Sequence, residues 1–418
     1  MQIGKYKTII SNFGYLSVLN GLNIILPLLT IPYLTNTVGA ARFGDYAFVL
    51  VLVQNIEIIT NFGFQFSATK TISRNRDDHS YIERLTSAVI ASRMLIGAVI
   101  VGLLLLFADH IFRNEAQLLL FYTSLGMIFG DILIPVWLFQ GLERMKFVTI
   151  VNATAKLLFC GLVFIVVRKA DDYRYILLLS SCGYLVAGIL SMVLVRSQFH
   201  IRMQMPEWSL MLRSMRKSFT LFLSNIGIGL YRNLNVVILN YYVASASVGI
   251  YALAEKIVKA TQSLVTPLSQ ALFPNLGYKL KTEGQQAFFR FFWRMVALLS
   301  VALLVLSAVL WLVAPWLATL MGKDFTGASS LMALMLPVLF FGCMNYLLGF
   351  VGLVNLNKQR YFFYCVFLSG TVGLLFLFLT VRQYNVRSAA FAMSLSEILL
   401  FILCLCRLVQ IYRKPEQQ

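Results

Sequence analysis

Two consecutive stretches decide the class of this chain: SFTLFLSNIGIGLYRNLNVVILNYYV at 218–243 and VGIYALAEKIVKATQSLVTPLSQALF at 248–273. Each is long enough to cross about 30 Å of hydrocarbon as a helix. The short gap between them leaves room only for a tight reversal, so the pair reads as a membrane-spanning helical hairpin. Into hydrocarbon it carries Arg232, Glu255, Lys256 and Lys259. A charge at the centre of a spanning helix costs about 2.5–3.5 kcal/mol. Four of them in two spans imply a polar interior enclosed by the rest of the chain.

The composition agrees. The 418 residues are 59% hydrophobic and 12% charged, about half the charged fraction of an ordinary soluble protein. Apolar runs near 20 residues recur from end to end. Lipid satisfies no backbone polar group, and the alternating ten-residue strands of a barrel are missing, so the fold class is an all-α polytopic membrane protein. The six cysteines all lie inside apolar runs with neither disulfide nor metal spacing, and read as small packing residues. The first span is too long and too polar-punctuated for a cleavable signal peptide, and none is expected.

Twelve spans are predicted. They fall at roughly 10–36, 44–68, 84–108, 116–140, 147–167, 175–195, 218–242, 248–273, 290–314, 327–353, 361–381 and 388–409. With the N-terminus inside, the cytoplasmic segments hold 22 of the 35 Lys and Arg, the opposite side 8, and the spans 5. That bias puts both termini in the cytoplasm. It also accounts for most of the net charge of +18 as topology, so nucleic acid drops out as a partner. Arg168, Lys169 and Arg174 sit on the minority side.

The longest connection separates an N-terminal six-helix lobe, 1–196, from a C-terminal one, 218–418. Within the connection, 197–217, Trp208, Met211, Leu212 and Met215 recur at helical spacing against Arg213, Arg216 and Lys217. This is the pattern of an amphipathic helix on the cytoplasmic leaflet; a covered linker between bundles is the blander reading. The two lobes also echo each other: VGAARFGDYAF follows the first span and ASASVGIYALA the seventh. Tyr46 and Tyr251 are 205 residues apart, close to half the chain. Two six-span units share one orientation, with a pseudo-twofold axis along the membrane normal and a central cavity between them.

The spans hold five cations (Arg93, Lys156, Arg232, Lys256, Lys259) and four candidate acids (Glu57, Asp131, Glu255, Glu397). Glu255 precedes Lys259 by four residues, so the two can neutralise each other along one helical face. Asp131 can pair with Arg144 or Lys146 at the inner boundary. Arg93 and Lys156 sit about 13 Å from the inner ends of their helices, at 1.5 Å per residue, and can snorkel to the headgroups. Arg232 lies deeper, and is either an ion-pair partner of another span or a contact for a phosphorylated ligand, for which a guanidinium is well suited. The amides Asn20, Asn23, Gln54, Asn55, Asn235, Gln262 and Asn345 could bind sugars or simply hold helices together. Pro27, Pro32, Pro267 and Pro274 supply bending points.

The strings PYLTNTVGAARFGDYAF, TNFGFQFSATKTISRNRDD, IPVWLFQGLERM and GIYALAEKIVKA make the chain similar to the Wzx-type oligosaccharide flippases. These belong to the multidrug/oligosaccharidyl-lipid/polysaccharide exporter superfamily. The resemblance runs from Asn12 to about Arg407. The family's Phe-Gly-x-Tyr-Ala pattern stands at Phe43–Ala47, and its FQGLERM pattern at Phe139–Met145. The resemblance implies two six-helix lobes around a V-shaped cavity. It implies movement of an undecaprenyl-diphosphate-linked oligosaccharide from the inner to the outer leaflet of the bacterial inner membrane. A polysaccharide polymerase and a chain-length regulator are the implied partners. Cavity cations are the implied substrate contacts, and Arg232, Arg93, Lys156, Lys259 and Lys256 fit by position. Glu57, Asp131, Glu255 and Glu397 are the candidates for ion coupling. Where many members carry an acid in the seventh span, Asn235 stands here, so a coupling ion on that helix is not expected.

Other classes fit less well. A drug or cation exporter of the same superfamily would want a net acidic cavity. A membrane polymerase or ligase needs a sizeable outer loop for its catalytic groups, and the predicted outer loops are short. A structural scaffold has no use for deep charges. No cofactor or Walker motif is present, so any directionality must come from an ion gradient or from removal of the product.

Overall fold

The computed structural model describes residues 2–263 and 265–413; side chains are described except at 2–13, 16, 224–232, 266–271 and 274. Among the described residues the regular structure is wholly helical. In chain order the helices are α1 (Gln2–Asn61), α2 (Phe64–Arg74), α3 (His79–Leu106), α4 (Ala108–Ile111), α5 (Glu115–Ile132), α6 (Val136–Gly141), α7 (Met145–Val166) and α8 (Ile176–Ser197). They continue as α9 (Trp208–Tyr242), α10 (Ser245–Ser263), α11 (Thr266–Leu320), α12 (Ala328–Leu334), α13 (Leu336–Asn345), α14 (Gln359–Tyr384) and α15 (Val386–Arg413). A π-helical stretch, Tyr346–Leu353, prolongs α13.

Nine segments among the described residues are long and apolar enough to cross a membrane. One of them, Ser17–Arg74, holds two predicted spans; α9 and α10, which carry the charged hairpin, complete the twelve. The first two spans are joined by a single non-helical residue, Gly39, at φ 77° and ψ 170°. Only glycine takes that conformation without steric cost. A break of the same kind at Gly284, φ 83°, divides α11. The second half of α11 shows what surrounds the bundle: Leu298, Val301, Val305, Leu312 and Trp316 are each more than half exposed. Such a stripe is tolerable in hydrocarbon and costly in water.

The chain forms two compact units, Met1–Leu230 and Tyr231–Gln418. In the first, α5 packs along α8, α8 along α7, and α1 against both α5 and α7. Glycines set the closeness of these contacts. A Cβ on Gly130 would fall 2.6 Å from the Tyr184 carbonyl carbon, and one on Gly188 would fall 2.8 Å from the Gly130 carbonyl oxygen. A Cβ on Gly183 would meet the Ala155 carbonyl oxygen at 2.5 Å. Small residues let helix backbones approach in this way where lipid offers no hydrophobic drive. In the second unit α14 packs along α15, while α13 contacts α10, α11 and α15.

The linker departs from the expected surface helix. Residues 200–207 are not helical, and they are tied to α3: Glu83 accepts from the Arg202 amide at 2.7 Å and the Gln204 side chain at 2.8 Å, and the Gln204 amide donates to Ser87 Oγ at 2.8 Å. From Trp208 the chain runs as one helix into the seventh span. Its packed face is Leu210, Met211, Ser214 and Ser218, all buried, with Leu210 and Met211 against Ala88. Trp208 and Leu212 remain exposed. The hydroxyls of Ser218 and Ser67 meet at 2.5 Å and Phe222 stacks on Phe62 at 4.2 Å, so the opening turns of α9 belong to the first unit. A repeat boundary at 197–217 is a different division from this packing boundary, and it rests as a proposal on the repeated Gly-x-Tyr-Ala.

Candidate functional site

Four helices of the first unit bring their ionisable side chains together. Pro135 ends α5, because a proline has no amide hydrogen and disfavours helix in the residue before it. The last carbonyls of α5 therefore lack full intrahelical partners. Arg93, 2% exposed on α3, donates to two of them, Asp131 O and Ile132 O, each at 3.3 Å. Its other terminal nitrogen pairs with Asp131 Oδ2 at 2.7 Å. A guanidinium at a helix C-terminus also complements the helix dipole. Glu57, from the second arm of α1, lies close enough to feel both charges, and Tyr184 of α8 feels Glu57 and Asp131. Glu57 Oε1 is buried without a hydrogen-bond partner among the described residues. The site thus holds two carboxyls for one guanidinium.

These contacts correct two expectations. Arg93 does not snorkel; it is anchored inward. Asp131 pairs with Arg93, thirty-eight positions away, and not with Arg144 or Lys146. Lys156 also has an internal partner, donating from Nζ to the Asn23 side-chain oxygen across α7 and α1.

In the second unit Glu255 is buried and pairs with Lys259 at 2.7 Å along α10, the self-neutralising arrangement that the i,i+4 spacing offered. Lys256 is half-buried and within the field of Glu255. The side chain of Arg232 lies outside the described residues.

Glu397 of α15 has a different environment. It is 7% exposed, and it accepts from Asn345 Nδ2 at 2.7 Å, while the same amide reaches the Glu397 carbonyl at 2.8 Å. No cation pairs with it among the described residues. Asn345 sits where α13 passes into the π-helical stretch, a local widening that often marks functional positions in helices. Gly342 makes room beside it: a Cβ there would strike Gln262 Nε2 and approach the Glu397 carboxyl at 3.6 Å. Gln262 in turn donates to Val338 O at 2.6 Å. A cavity of about 320 Å³, counting its open mouth, adjoins this group, lined by Asn235, Gly373, Leu374, Met393, Ser396 and Glu397. Asn235 is hydrogen-bonded to the fully buried Tyr251.

Sequence reasoning found the members of both clusters but not their grouping. Glu57, Arg93 and Asp131 come from three helices, and nothing local in the sequence signals their convergence. Asn345 was counted among scattered amides. Its place at the mouth of GFVGL, a glycine-punctuated stretch that forms the π turn, was the available hint.

The relatives of this chain extend along its whole length. Residues 9–278 match the polysaccharide biosynthesis protein family. A protein of Escherichia coli (strain K12) named "Putative O-antigen transporter" is 26% identical over 397 residues, covering 94% of this chain and 95% of its own. A protein of Shigella dysenteriae with the same name is 26% identical over 395 residues, covering 94% and 98%. Among solved structures, the lipid II flippase MurJ in an inward closed conformation superposes with a TM-score of 0.73 at 11% identity, covering 98% of this chain and 94% of its own. An inward-facing multidrug resistance MATE family transporter of the MOP superfamily gives 0.72 at 12% identity, covering 94% and 99%. These structural likenesses establish the fold. With its family match spanning well over half its length, the chain belongs to the polysaccharide biosynthesis protein family.

Proposed function

We propose that this chain is a flippase for lipid-linked oligosaccharide. It would carry an undecaprenyl-diphosphate-linked repeat unit from the inner to the outer leaflet of the bacterial inner membrane by alternating access. The observation that carries the reading is the match to the two O-antigen transporter relatives, 26% identical over 94% of this chain and 95% and 98% of theirs. The diphosphate would engage cations of the spanning helices, Arg232 of α9 foremost, with Lys156 and Lys256 as further contacts. The glycan would cross in a hydrated path while the polyprenyl tail stays in lipid. Lys259 and Arg93 are held by Glu255 and Asp131, and they would act on substrate only if those pairs open.

Direction would come from carboxyls that lack a full cationic partner. A carboxyl buried away from water is neutralised by a proton or a cation before it is tolerated. Glu57 shares one guanidinium with Asp131, and Glu397 has only an amide, so these two are the strongest candidates for ion coupling. Asp131 and Glu255 are already paired.

Reconstitution of the purified chain in proteoliposomes with a defined lipid-linked sugar tests the reading. Protected sugar should appear on the far leaflet, faster with a pH gradient than without. Transport of drug-like cations with no movement of the lipid-linked sugar would favour the exporter instead. In cells, Arg232→Gln should make repeat units accumulate on the inner leaflet; normal surface polysaccharide in that variant would remove Arg232 from its role.

A further inference from the structure

A second cavity, of about 310 Å³ counting its open mouth, lies in the first unit between α2, α3 and the first turns of α9. Its floor is apolar: Phe64, Ala68, Leu85, Val89 and Leu210 are all buried. Two hydroxyls along its wall are spent on the protein, since Ser67 meets Ser218 and Thr71 donates to the Ser67 carbonyl. The rim is cationic. Arg213 and Lys217 line it, both are exposed, and neither has an ion-pair partner among the described residues. Arg74 continues the Ser67–Thr71 stripe of α2 one turn further on, and is also exposed. Three acids at this end are engaged elsewhere, while Asp77 stays exposed in the α2–α3 turn: Glu83 binds the linker, Glu207 pairs with Arg84 at 3.7 Å, and Asp78 caps α3 through the Tyr81 amide.

The helical order around α9 gives the groove its orientation. At about 100° per residue, Trp208, Leu212, Phe219 and Leu223 form one exposed apolar stripe. Leu210, Ser214 and Ser218 form the packed face that borders the groove, and Arg213 and Lys217 fall between the two. The groove also sits at the shared end of two apolar spans, Ser17–Arg74 and His79–Leu106, where hydrocarbon gives way to headgroups. An apolar trough at that depth with unpaired cations at its rim matches one kind of ligand, a molecule with a hydrocarbon tail and an anionic head.

We infer that this groove binds an anionic phospholipid of the surrounding bilayer, with an acyl chain along Phe64, Leu85 and Val89 and its phosphate at Arg213 and Lys217. The site is distinct from the clusters around Glu57 and Glu397 and requires no transport. Bound there, the lipid would fasten the opening of α9 to α2 and α3.

Native mass spectrometry of the full chain, released from micelles doped with phosphatidylglycerol or phosphatidylcholine, tests this. One phosphatidylglycerol should be retained in preference to phosphatidylcholine. The double variant Arg213→Gln/Lys217→Gln should weaken retention by roughly thirtyfold, at about fivefold per cation. Thr71→Phe, which fills the groove and leaves the charges, should weaken it as well. The pair Lys358→Gln/Arg360→Gln, in the second unit, should not. Equal retention by the double variant and the wild-type chain would overturn the site. An equal loss in the second-unit pair would also overturn it, since that outcome means nonspecific attraction to basic residues. Thermal unfolding of each variant in lipid-free detergent keeps a folding defect separate from a lost lipid.

Discussion

Replacing Asp131 by Asn would strand the Arg93 guanidinium, which is 2% exposed and has no other carboxylate within pairing distance among the described residues. Breaking one side of a buried pair costs about 3–5 kcal/mol; the low end applies here, because the Asp131 side chain is 29% exposed. The Asp131→Asn chain should therefore melt well below the wild type in detergent. The double variant Arg93→Met/Asp131→Leu should recover most of the loss, because it removes the charge along with its partner. Glu57→Gln should behave differently. It abolishes one ionisable group and leaves the Arg93–Asp131 pair intact, so stability should hold. If Glu57 carries the exchangeable proton, transport in proteoliposomes should lose its response to a pH gradient while a gradient-independent rate persists. A full response in Glu57→Gln would move the coupling role to Glu397. Every one of these residues was visible in the sequence as a charge in an apolar run. Their partners were not, because the acids stand on different helices from Arg93, Glu57 36 and Asp131 38 positions away, and only packing brings them together.

At the scale of the helix, the strongest structural commitments are the glycine contacts of α5 with α8. Gly130 and Gly188 face each other, and the nearest atoms to an added Cβ are backbone. A backbone cannot rotate aside as a side chain can, so Gly130→Val should cost more than the 1–3 kcal/mol typical of overpacking. Gly161 of α7 is the control: nothing lies within 4 Å of its Cβ position. Gly161→Ala should be neutral or stabilising by about 0.5–1 kcal/mol through helix propensity. Both effects can be read from melting curves of the detergent-solubilised protein. The spans themselves were legible from apolar run lengths, and the deep acid–base pair in α10 from its i,i+4 spacing. The linker was legible in part, as a helix from Trp208 with Arg213, Arg216 and Lys217 exposed. Its sequence carries an amphipathic pattern, but two apolar faces compete, and α3 selected Leu210 and Met211 over Trp208 and Leu212. Hydrophobic spacing specifies a face that can be covered; the neighbour decides which face is.

For the whole molecule, the distribution of charge makes a claim that packing cannot make, namely which side of each unit meets the cytoplasm. The 22-to-8 bias in loop Lys and Arg would place both termini inside. The same bias would set Arg213 and Lys217, which have no ion-pair partner among the described residues, on the inner leaflet, where anionic lipid gives a negative surface potential. Three cations, Arg168, Lys169 and Arg174, oppose it in the loop between α7 and α8. The Arg168 and Lys169 amides both donate to Asp172 at 3.0 Å, and Asp171 pairs with Arg42 at 2.7 Å. The loop is thus folded on its own acids, and its three cations stay a minority against the 22 on the other side. Reporter fusions test the orientation directly. Alkaline phosphatase joined after Arg174 should be active, since it would be exported, and green fluorescent protein joined after Arg413 should fluoresce in the cytoplasm. Activity in the opposite pattern would invert the membrane orientation, and with it the leaflet from which a lipid-linked substrate is taken.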